Sequence, residues 1–285
     1  MTIGRSIVAT FALAAAALTS ALAEDQGLLE RCWTQEALSH SEKELKPGRA
    51  TARFDLAALK EAAPDTATPT PVPLELRGSI RSVELPQGEK LIALTFDLCE
   101  SGGGTAGYDG RIVDLLRAQG VKATLFASGK WLETHPERAQ QLIADPNFEI
   151  GAHGLRHLDL SRVSSQAVNE EITLPQAAYA RARNALMARQ CASDAAPAAN
   201  APSERITLMR FPYGRCNANS LAAVAEAGQL AIQWDVVSGT PIRVHRPKLS
   251  PTPSSPAPIP APSSLPMPMG AAATRRRHSR SLCPS

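Results

Sequence analysis

The sequence predicts an α/β domain built on a parallel β-sheet, and three observations support this fold class. Its 285 residues are 44% hydrophobic, which is enough for one large core and excludes collagen-like, coiled-coil and fully disordered classes. Short β-prone runs alternate with helical segments from residue 91 onward, as βαβ units require. Polar residues follow several of these runs, where parallel sheets place their functional sites.

The first 23 residues have the layout of a secretory signal peptide. Arg5 precedes an apolar run from Ile7 to Leu18, and Ala21-Leu22-Ala23, with small residues at the expected cleavage site, precedes Glu24. The alternative is a membrane anchor, but the run is shorter than the roughly 20 apolar residues that a spanning helix needs. We therefore expect cleavage after Ala23, a secreted or periplasmic protein, and no stable membrane span after cleavage.

Residues 24–89 form a predicted N-terminal extension that ends in a proline-rich linker. Residues 24–62 have a short helical pattern, and Pro64–Pro73 is polar and rich in proline. The composition changes after this segment, so we place the main domain at residues 90–241.

The main domain contains five predicted strands with helices between them. The strands are Leu91–Phe96, Ala123–Ala127, Phe148–Ala152, Ile206–Phe211 and Leu230–Val237. One predicted helix ends before Gly120, and three others cover Pro136–Ala144, Ser165–Arg189 and Ser220–Ala227. This regular alternation predicts a parallel sheet.

The last part of the chain differs sharply in composition from the rest. Residues 242–285 contain seven Lys or Arg, no Asp or Glu, and ten of the 23 prolines. Without these seven cations the net charge of +3 becomes −4, which argues against a nucleic-acid partner. The composition is typical of an out-of-frame reading of GC-rich DNA, and the alternative is a genuine disordered tail. In either case the tail is expected to lie outside the fold.

The chemistry-bearing residues follow the predicted strands. His153 and His157 are four apart on a predicted turn, so they can point the same way and share one metal ion; the alternative is two ordinary surface histidines. Asp97, Arg210 and Tyr213 end two other strands and are expected at the same edge of the sheet. This convergence favours a metal-assisted hydrolytic site.

These motifs resemble those of the polysaccharide deacetylases that share the nodulation-protein-B homology domain, including chitooligosaccharide deacetylases. The matching segments are Thr95-Phe96-Asp97, His153-x-x-x-His157 and Arg210-Phe211-Pro212-Tyr213-Gly214. The resemblance implies a distorted (β/α) barrel and a divalent metal, with zinc as the expected ion. It also implies a hydrolase acting on the carbon–nitrogen bonds of linear amides, which removes N-acetyl or sometimes O-acetyl groups from an acetylated glycan.

The resemblance implies a role for each matching residue. Asp97 would be the general base, and Arg210 would pair with it and hold it ionised. His153 and His157 would be metal ligands. The backbone N–H of Tyr213 would stabilise the oxyanion. Trp234 and Asp235 resemble a fourth motif that supports the arginine, although they also fit ordinary strand packing.

The sequence departs from the family pattern beside Asp97. The family usually has a second aspartate there as third metal ligand, and this chain has Leu98. Water or Glu100 is the preferred replacement, ahead of Cys99. Cys99 has a competing use, because Cys216 follows the Tyr213 turn; a Cys99–Cys216 disulfide is the hypothesis.

A second departure lies at the C-terminal end of the domain. The family closes with a Leu-x-x-His strand whose histidine protonates the leaving amine, and nothing after Pro241 matches it. The fold is therefore expected to be incomplete at its C-terminus. These departures leave an alternative function open: a catalytically impaired carbohydrate-binding relative of the same fold.

Overall fold

The computed structural model describes five stretches of the chain: residues 27–42, 52–62, 69–99, 108–193 and 201–236. The predicted signal peptide, Glu100 and the tail at 242–285 lie outside these residues.

The described residues contain six strands and nine α-helices. The strands are β1 (Ser79–Ile80), β2 (Thr95–Leu98), β3 (Ala123–Ala127), β4 (Phe148–Ala152), β5 (Leu208–Met209) and β6 (Leu230–Ile232). The helices are α1 (Leu28–Cys32), α2 (Gln35–Leu38), α3 (Leu56–Glu61), α4 (Gly110–Ala118), α5 (Gly129–Thr134), α6 (Pro136–Ala144), α7 (Ser165–Met187), α8 (Gln190–Ser193) and α9 (Ala218–Glu226). Two 3-10 turns lie at Leu74–Leu76 and Pro212–Gly214.

All six strands form one sheet in the order β1-β6-β5-β4-β3-β2, and every neighbouring pair is parallel. The predicted α/β class is confirmed. Because the strands run in the same direction, their carboxyl ends lie along one edge of the sheet. This edge carries the residues at the ends of β2, β4 and β5.

The buried strands and helices match their predicted bounds most closely. β3, β4 and α6 begin and end where the sequence pattern places them, whereas β2 begins at Thr95 rather than Leu91. The predicted strands at 206–211 and 230–237 are shorter in the structure. β1, which pairs with β6, has two residues and therefore no periodicity for sequence analysis to detect.

The core lies between the sheet and the long helix α7. Leu125 of β3, Trp131 of α5, Leu142 of α6 and Ile172 of α7 are buried in it. Gly129 begins α5 where an added Cβ would meet the Pro175 backbone of α7 at 3.1 Å, so a side chain there would push the two helices apart. This packing fixes the loops at the carboxyl ends of β3 and β4.

A disulfide between Cys32 and Cys191 joins the N-terminal extension to the end of the long helical segment. The two cysteines are 159 residues apart, and their Cα atoms are 5.3 Å apart. The hypothesis of a Cys99–Cys216 disulfide is wrong, because Cys99 has a free thiol while Cys216 is disulfide-bonded. Both residues are near the same edge of the sheet, but shared location does not fix cysteine pairing.

Within the described stretches, no helix combines the length and the apolar character needed to cross a membrane.

Candidate active site

Three parallel strands bring Asp97, His153 and Arg210 together. Asp97 lies within β2, His153 directly follows β4, and Arg210 directly follows β5. The N–H of His153 donates to the Ala127 carbonyl at 3.0 Å, and the N–H of Arg210 donates to the Ala152 carbonyl at 2.8 Å. The sheet's own hydrogen bonds therefore set the spacing of these residues, which are far apart in sequence.

Arg210 contacts both Asp97 and His153. Arg210 is 3% exposed. Its guanidinium carbon lies 4.0 Å from the centroid of the Phe126 ring and 5.6 Å from that of the Trp234 ring. Nη1 donates to Asp97 Oδ1 at 2.9 Å. Because a buried arginine cannot lose its charge, Asp97 is the ion-pair partner that this cation requires.

The Arg210 backbone also determines the protonation of His153. The Arg210 carbonyl lies 2.8 Å from His153 Nδ1 and can only accept, so Nδ1 carries the proton. Nε2 is then the unprotonated nitrogen of the neutral ring, and it faces Asp97 Oδ2 at 3.7 Å. Burial lowers the pKa of His153, which keeps this ring neutral.

His157 completes an aromatic group with His153 and Tyr213. The His157 ring centroid is 4.9 Å from that of His153 and 4.5 Å from that of Tyr213. Burial, followed by the influence of His153, lowers the pKa of His157 from 6.5 to about 4. At neutral pH both imidazoles are therefore uncharged, which is the form that binds a metal ion.

The turn after β5 carries the predicted oxyanion donor. Tyr213 lies in the Pro212–Gly214 turn with φ of 60°, and its residue is 61% exposed. Gly214 has φ of 66°, and a Cβ there would meet the Trp234 ring at 2.8 Å. The turn therefore depends on glycine, and Trp234 packs against it. Asp235 is exposed.

The end of β2 places a thiol beside the two histidines. Leu98 is 3% exposed and belongs to the hydrophobic core, so it does not face the site. Cys99 has a free, half-buried thiol, and the ligand atoms of Cys99, His153 and His157 all lie within 4.8 Å of one another. Burial, then the neighbouring Asp97, raises the pKa of the Cys99 thiol to about 11.

This donor set fits a divalent metal ion. Two neutral imidazoles and a thiol are the side chains that zinc and similar ions bind in proteins. The structure thus brings together the predicted residues Asp97, His153, His157 and Arg210. Glu100, the predicted ligand candidate, lies outside the described residues.

A family model described as "Polysaccharide deacetylase" matches residues 84–232, more than half of the chain. The protein belongs to the polysaccharide deacetylase family. The match covers every strand from β2 to β6 and all three sequence motifs at the sheet edge. The resemblance identified from these motifs is confirmed.

Two curated members of the family are similar over part of their length. A chitooligosaccharide deacetylase from Bradyrhizobium sp. (strain ANU 289) is 30% identical over 125 residues, which cover 44% of this chain and 48% of that relative. A peptidoglycan-N-acetylglucosamine deacetylase from Bacillus cereus is 34% identical over 89 residues, covering 31% of this chain and 39% of the relative. The matched region spans less than half of either relative.

Two of the solved structures that this chain resembles match it over part of each chain. A family 4 carbohydrate esterase from Bacillus anthracis is 24% identical, with a TM-score of 0.44 over 56% of this chain and 66% of that one. A family 4 carbohydrate esterase pseudoenzyme from the same species is 18% identical, with a TM-score of 0.43 over 55% of this chain and 47% of that one. Family membership rests on the sequence match.

Sequence reasoning missed one residue that shapes the site of this deacetylase family member. Glu171 is 0% exposed, and its carboxylate accepts from the N–H groups of Leu155, Arg156 and Leu158, at 2.9, 3.0 and 3.4 Å. Arg156 Nε also pairs with it at 3.1 Å. Glu171 therefore fixes the backbone between the two histidines.

A signal for Glu171 was present in the helical pattern. Val168, Ile172 and Pro175 form the buried face of α7, and Glu171 occupies the same face. A carboxylate on the apolar face of a helix needs partners, because burying a charge without them is costly. Gly154 reinforces the arrangement: its φ is 72°, and a Cβ there would meet Glu171 Oε2 at 2.8 Å.

Proposed function

We propose that this protein is a metal-dependent hydrolase that removes acetyl groups, above all N-acetyl groups, from a glycan polymer or oligomer. The proposal rests on one observation: a carboxylate that is paired with a buried arginine lies beside a group of side chains that can bind a metal ion. Asp97 lies 2.9 Å from buried Arg210 and 3.7 Å from His153 Nε2, beside the Cys99, His153 and His157 cluster. The names of the two curated relatives support an acetylated amino sugar as the substrate.

The two oxygens of Asp97 have different environments. Oδ1 accepts from Arg210, whereas Oδ2 faces the metal-binding side. A divalent ion held by His153 and His157 supplies Lewis-acid polarisation and acidifies water. Asp97 Oδ2 is the general base: it takes a proton from the water molecule that attacks the acetyl carbonyl carbon. The Tyr213 N–H stabilises the oxygen that becomes negative in this step.

Collapse of the tetrahedral intermediate breaks the carbon–nitrogen bond. Acetate leaves on one side, and the sugar amine leaves with a proton. Asp97 Oδ2 holds the proton taken from water at this stage, so it returns that proton to nitrogen. Atoms and charge balance with one water consumed.

The setting of the protein is also proposed. We place it outside the cytoplasm, secreted or periplasmic, with zinc as the resident ion. The Cys32–Cys191 disulfide supports this location, because structural disulfides persist in oxidising compartments.

A second function is favoured by one specific observation. Leu98 occupies the position of the family's third metal ligand and is buried in the core, so it cannot bind metal. A protein with a weakened metal site but an intact cleft would bind a glycan without hydrolysing it.

Acetate release from N-acetylglucosamine oligomers tests both functions. The full chain is expected to release acetate, to stop with a chelator and to recover with added zinc. Asp97→Asn should lower the rate by about 10²- to 10⁴-fold, as loss of a general base does. Asp55→Asn is the matched control, because asparagine caps helix α3 as well as aspartate does. Glycan binding with bound metal but no acetate would favour the second function.

A further inference from the structure

We infer that Cys99 is the third protein ligand of the metal site, which makes it a two-histidine, one-thiolate centre selective for thiophilic divalent ions. This inference rests on the metal dependence in the proposed function and adds the identity of the ligand. The thiolate replaces the carboxylate that Leu98 cannot provide.

The alternation of side chains along β2 explains why the ligand is residue 99. Successive side chains of a strand point to opposite faces. Asp97 and Cys99, which is one residue past the end of β2, therefore lie on the face opposite to Leu98. Leu98 is buried in the hydrophobic core, while its carbonyl accepts from the Ser128 N–H at 2.9 Å and holds the end of β2 in line with β3. A ligand directly after Asp97 would therefore point into the core. The side chain of the next residue, Cys99, points back towards the site.

The distances fit one ion after a small adjustment. Bond lengths of about 2.0 Å to nitrogen and about 2.3 Å to sulfur place the ligand atoms of a tetrahedral zinc about 3.3 to 3.6 Å apart. The ligand atoms of Cys99, His153 and His157 lie within 4.8 Å of one another, so no pair needs to close by more than about 1.5 Å.

Asp97 is already committed to another role. Its Oδ1 is tied to Arg210, and it is not a member of the three-residue cluster found within the described part of the chain. The site thus separates the base from the metal ligands. Cys99 also has no disulfide partner that would remove it from the site.

The inferred ligand set predicts metal preference. Thiolate and imidazole suit zinc and cobalt, whereas magnesium and manganese prefer oxygen ligands. On binding, the sulfur–hydrogen bond breaks, the sulfur electron pair binds the ion, and the proton passes to solvent. Three protein ligands leave a fourth position open, as in catalytic zinc sites built from cysteine and histidine.

Cobalt absorption of the metal-free full chain provides the test. With Co²⁺ alone, the wild-type protein should show a near-ultraviolet sulfur-to-cobalt charge-transfer band together with visible bands of tetrahedral cobalt. Cys99→Ser should lose the charge-transfer band and bind Co²⁺ at least about tenfold more weakly, since even outer partners of metal ligands contribute 10- to 100-fold. Cys99→Asp should restore binding without the charge-transfer band.

The outcomes separate this inference from the proposed function. Visible cobalt bands without the charge-transfer band, and equal affinity in Cys99→Ser, would overturn the cysteine ligand while leaving metal dependence intact. No cobalt binding at all would remove both. As a second measurement that needs no variant, zinc should slow alkylation of the Cys99 peptide in the wild-type chain; an unchanged alkylation rate in zinc-loaded protein would contradict the inference.

Discussion

The two sides of the candidate active site are held in different ways. On one side, the backbone between His153 and His157 is fixed by Glu171, a buried carboxylate that accepts from three backbone N–H groups. On the other side, Asp97 lies on β2 and Cys99 directly follows that strand. β2 has one neighbouring strand among those described, and the Asp97 side chain is 36% exposed. The histidine side is built by the fold, whereas the described contact that holds Asp97 on the β2 side is its ion pair with Arg210.

This difference bears on the proposed change of metal ligand from aspartate to Cys99. A residue change on the histidine side would disturb a buried, fully hydrogen-bonded network, which is costly. On the β2 side, Leu98 stands where the family has a second aspartate, and Cys99 follows it beside the two histidines. Arg210 spans both sides, with its carbonyl on His153 and its guanidinium on Asp97.

Glu171→Gln is expected to have the largest effect, on the histidine side. The glutamine side chain would place its NH₂ group, which can only donate, against backbone N–H donors. It would also remove the buried carboxylate that pairs with Arg156. We expect the free energy of unfolding to fall by about 3 to 5 kcal/mol, as when one member of a buried ion pair is removed. Urea denaturation measures this.

Glu170→Gln is the matched control for that variant. Glu170 is the adjacent residue and pairs at the surface with Lys60 and Arg156. Its replacement should change the midpoint of unfolding much less than Glu171→Gln does. Equal loss in both variants would mean that the histidine side has no special anchor.

Arg210→Lys is expected to weaken the β2 side selectively. Lysine keeps the charge but lacks the planar fork that reaches Asp97 while stacking on Phe126. Acetate release should fall about 10- to 100-fold, as on loss of a residue that orients a site. Cobalt affinity should change little, because His153 contacts the residue 210 backbone carbonyl.

The control for Arg210→Lys is Arg215→Lys, since Arg215 pairs with Asp159 at the surface. This change should leave acetate release unchanged. If Arg210→Lys instead abolished cobalt binding, the two sides would not be separable.

The smallest expected effect is a pH dependence of the metal-free protein. The pKa of His157 is about 4 in the folded state and 6.5 ordinarily, so between these values the unfolded chain binds more protons. Stability is therefore complete above about pH 6.5 and falls as the pH drops towards 4. Because one pKa unit corresponds to 1.36 kcal/mol and His157 is only partly buried, we expect a loss of about 1 to 2 kcal/mol from this group.

His157→Gln identifies the contribution of this histidine. Measured by urea denaturation with a chelator from pH 7.5 to 4, the variant should lose less stability than the wild type over the same range. Parallel curves for both proteins would show that burial of His157 does not penalise its charge.

The sequence by itself determined the framework and the motif residues. Local periodicity located β3, β4 and α6, because a buried strand or an amphipathic helix repeats its pattern within its own length. The motif spacing also identified Asp97, His153, His157 and Arg210, which the parallel sheet brings to one edge. Strand direction alone is enough to predict that meeting.

Only the tertiary structure decided which partners these residues have. It pairs Cys32 with Cys191, leaves the Cys99 thiol free beside two histidines, and buries Glu171 against the histidine loop. Asp97 and Arg210 are likewise 113 residues apart. Local patterns do not contain such contacts, since they form between segments that meet only when the core packs. The sequence therefore predicted the edge that carries the candidate site, and packing decided which partners its residues have.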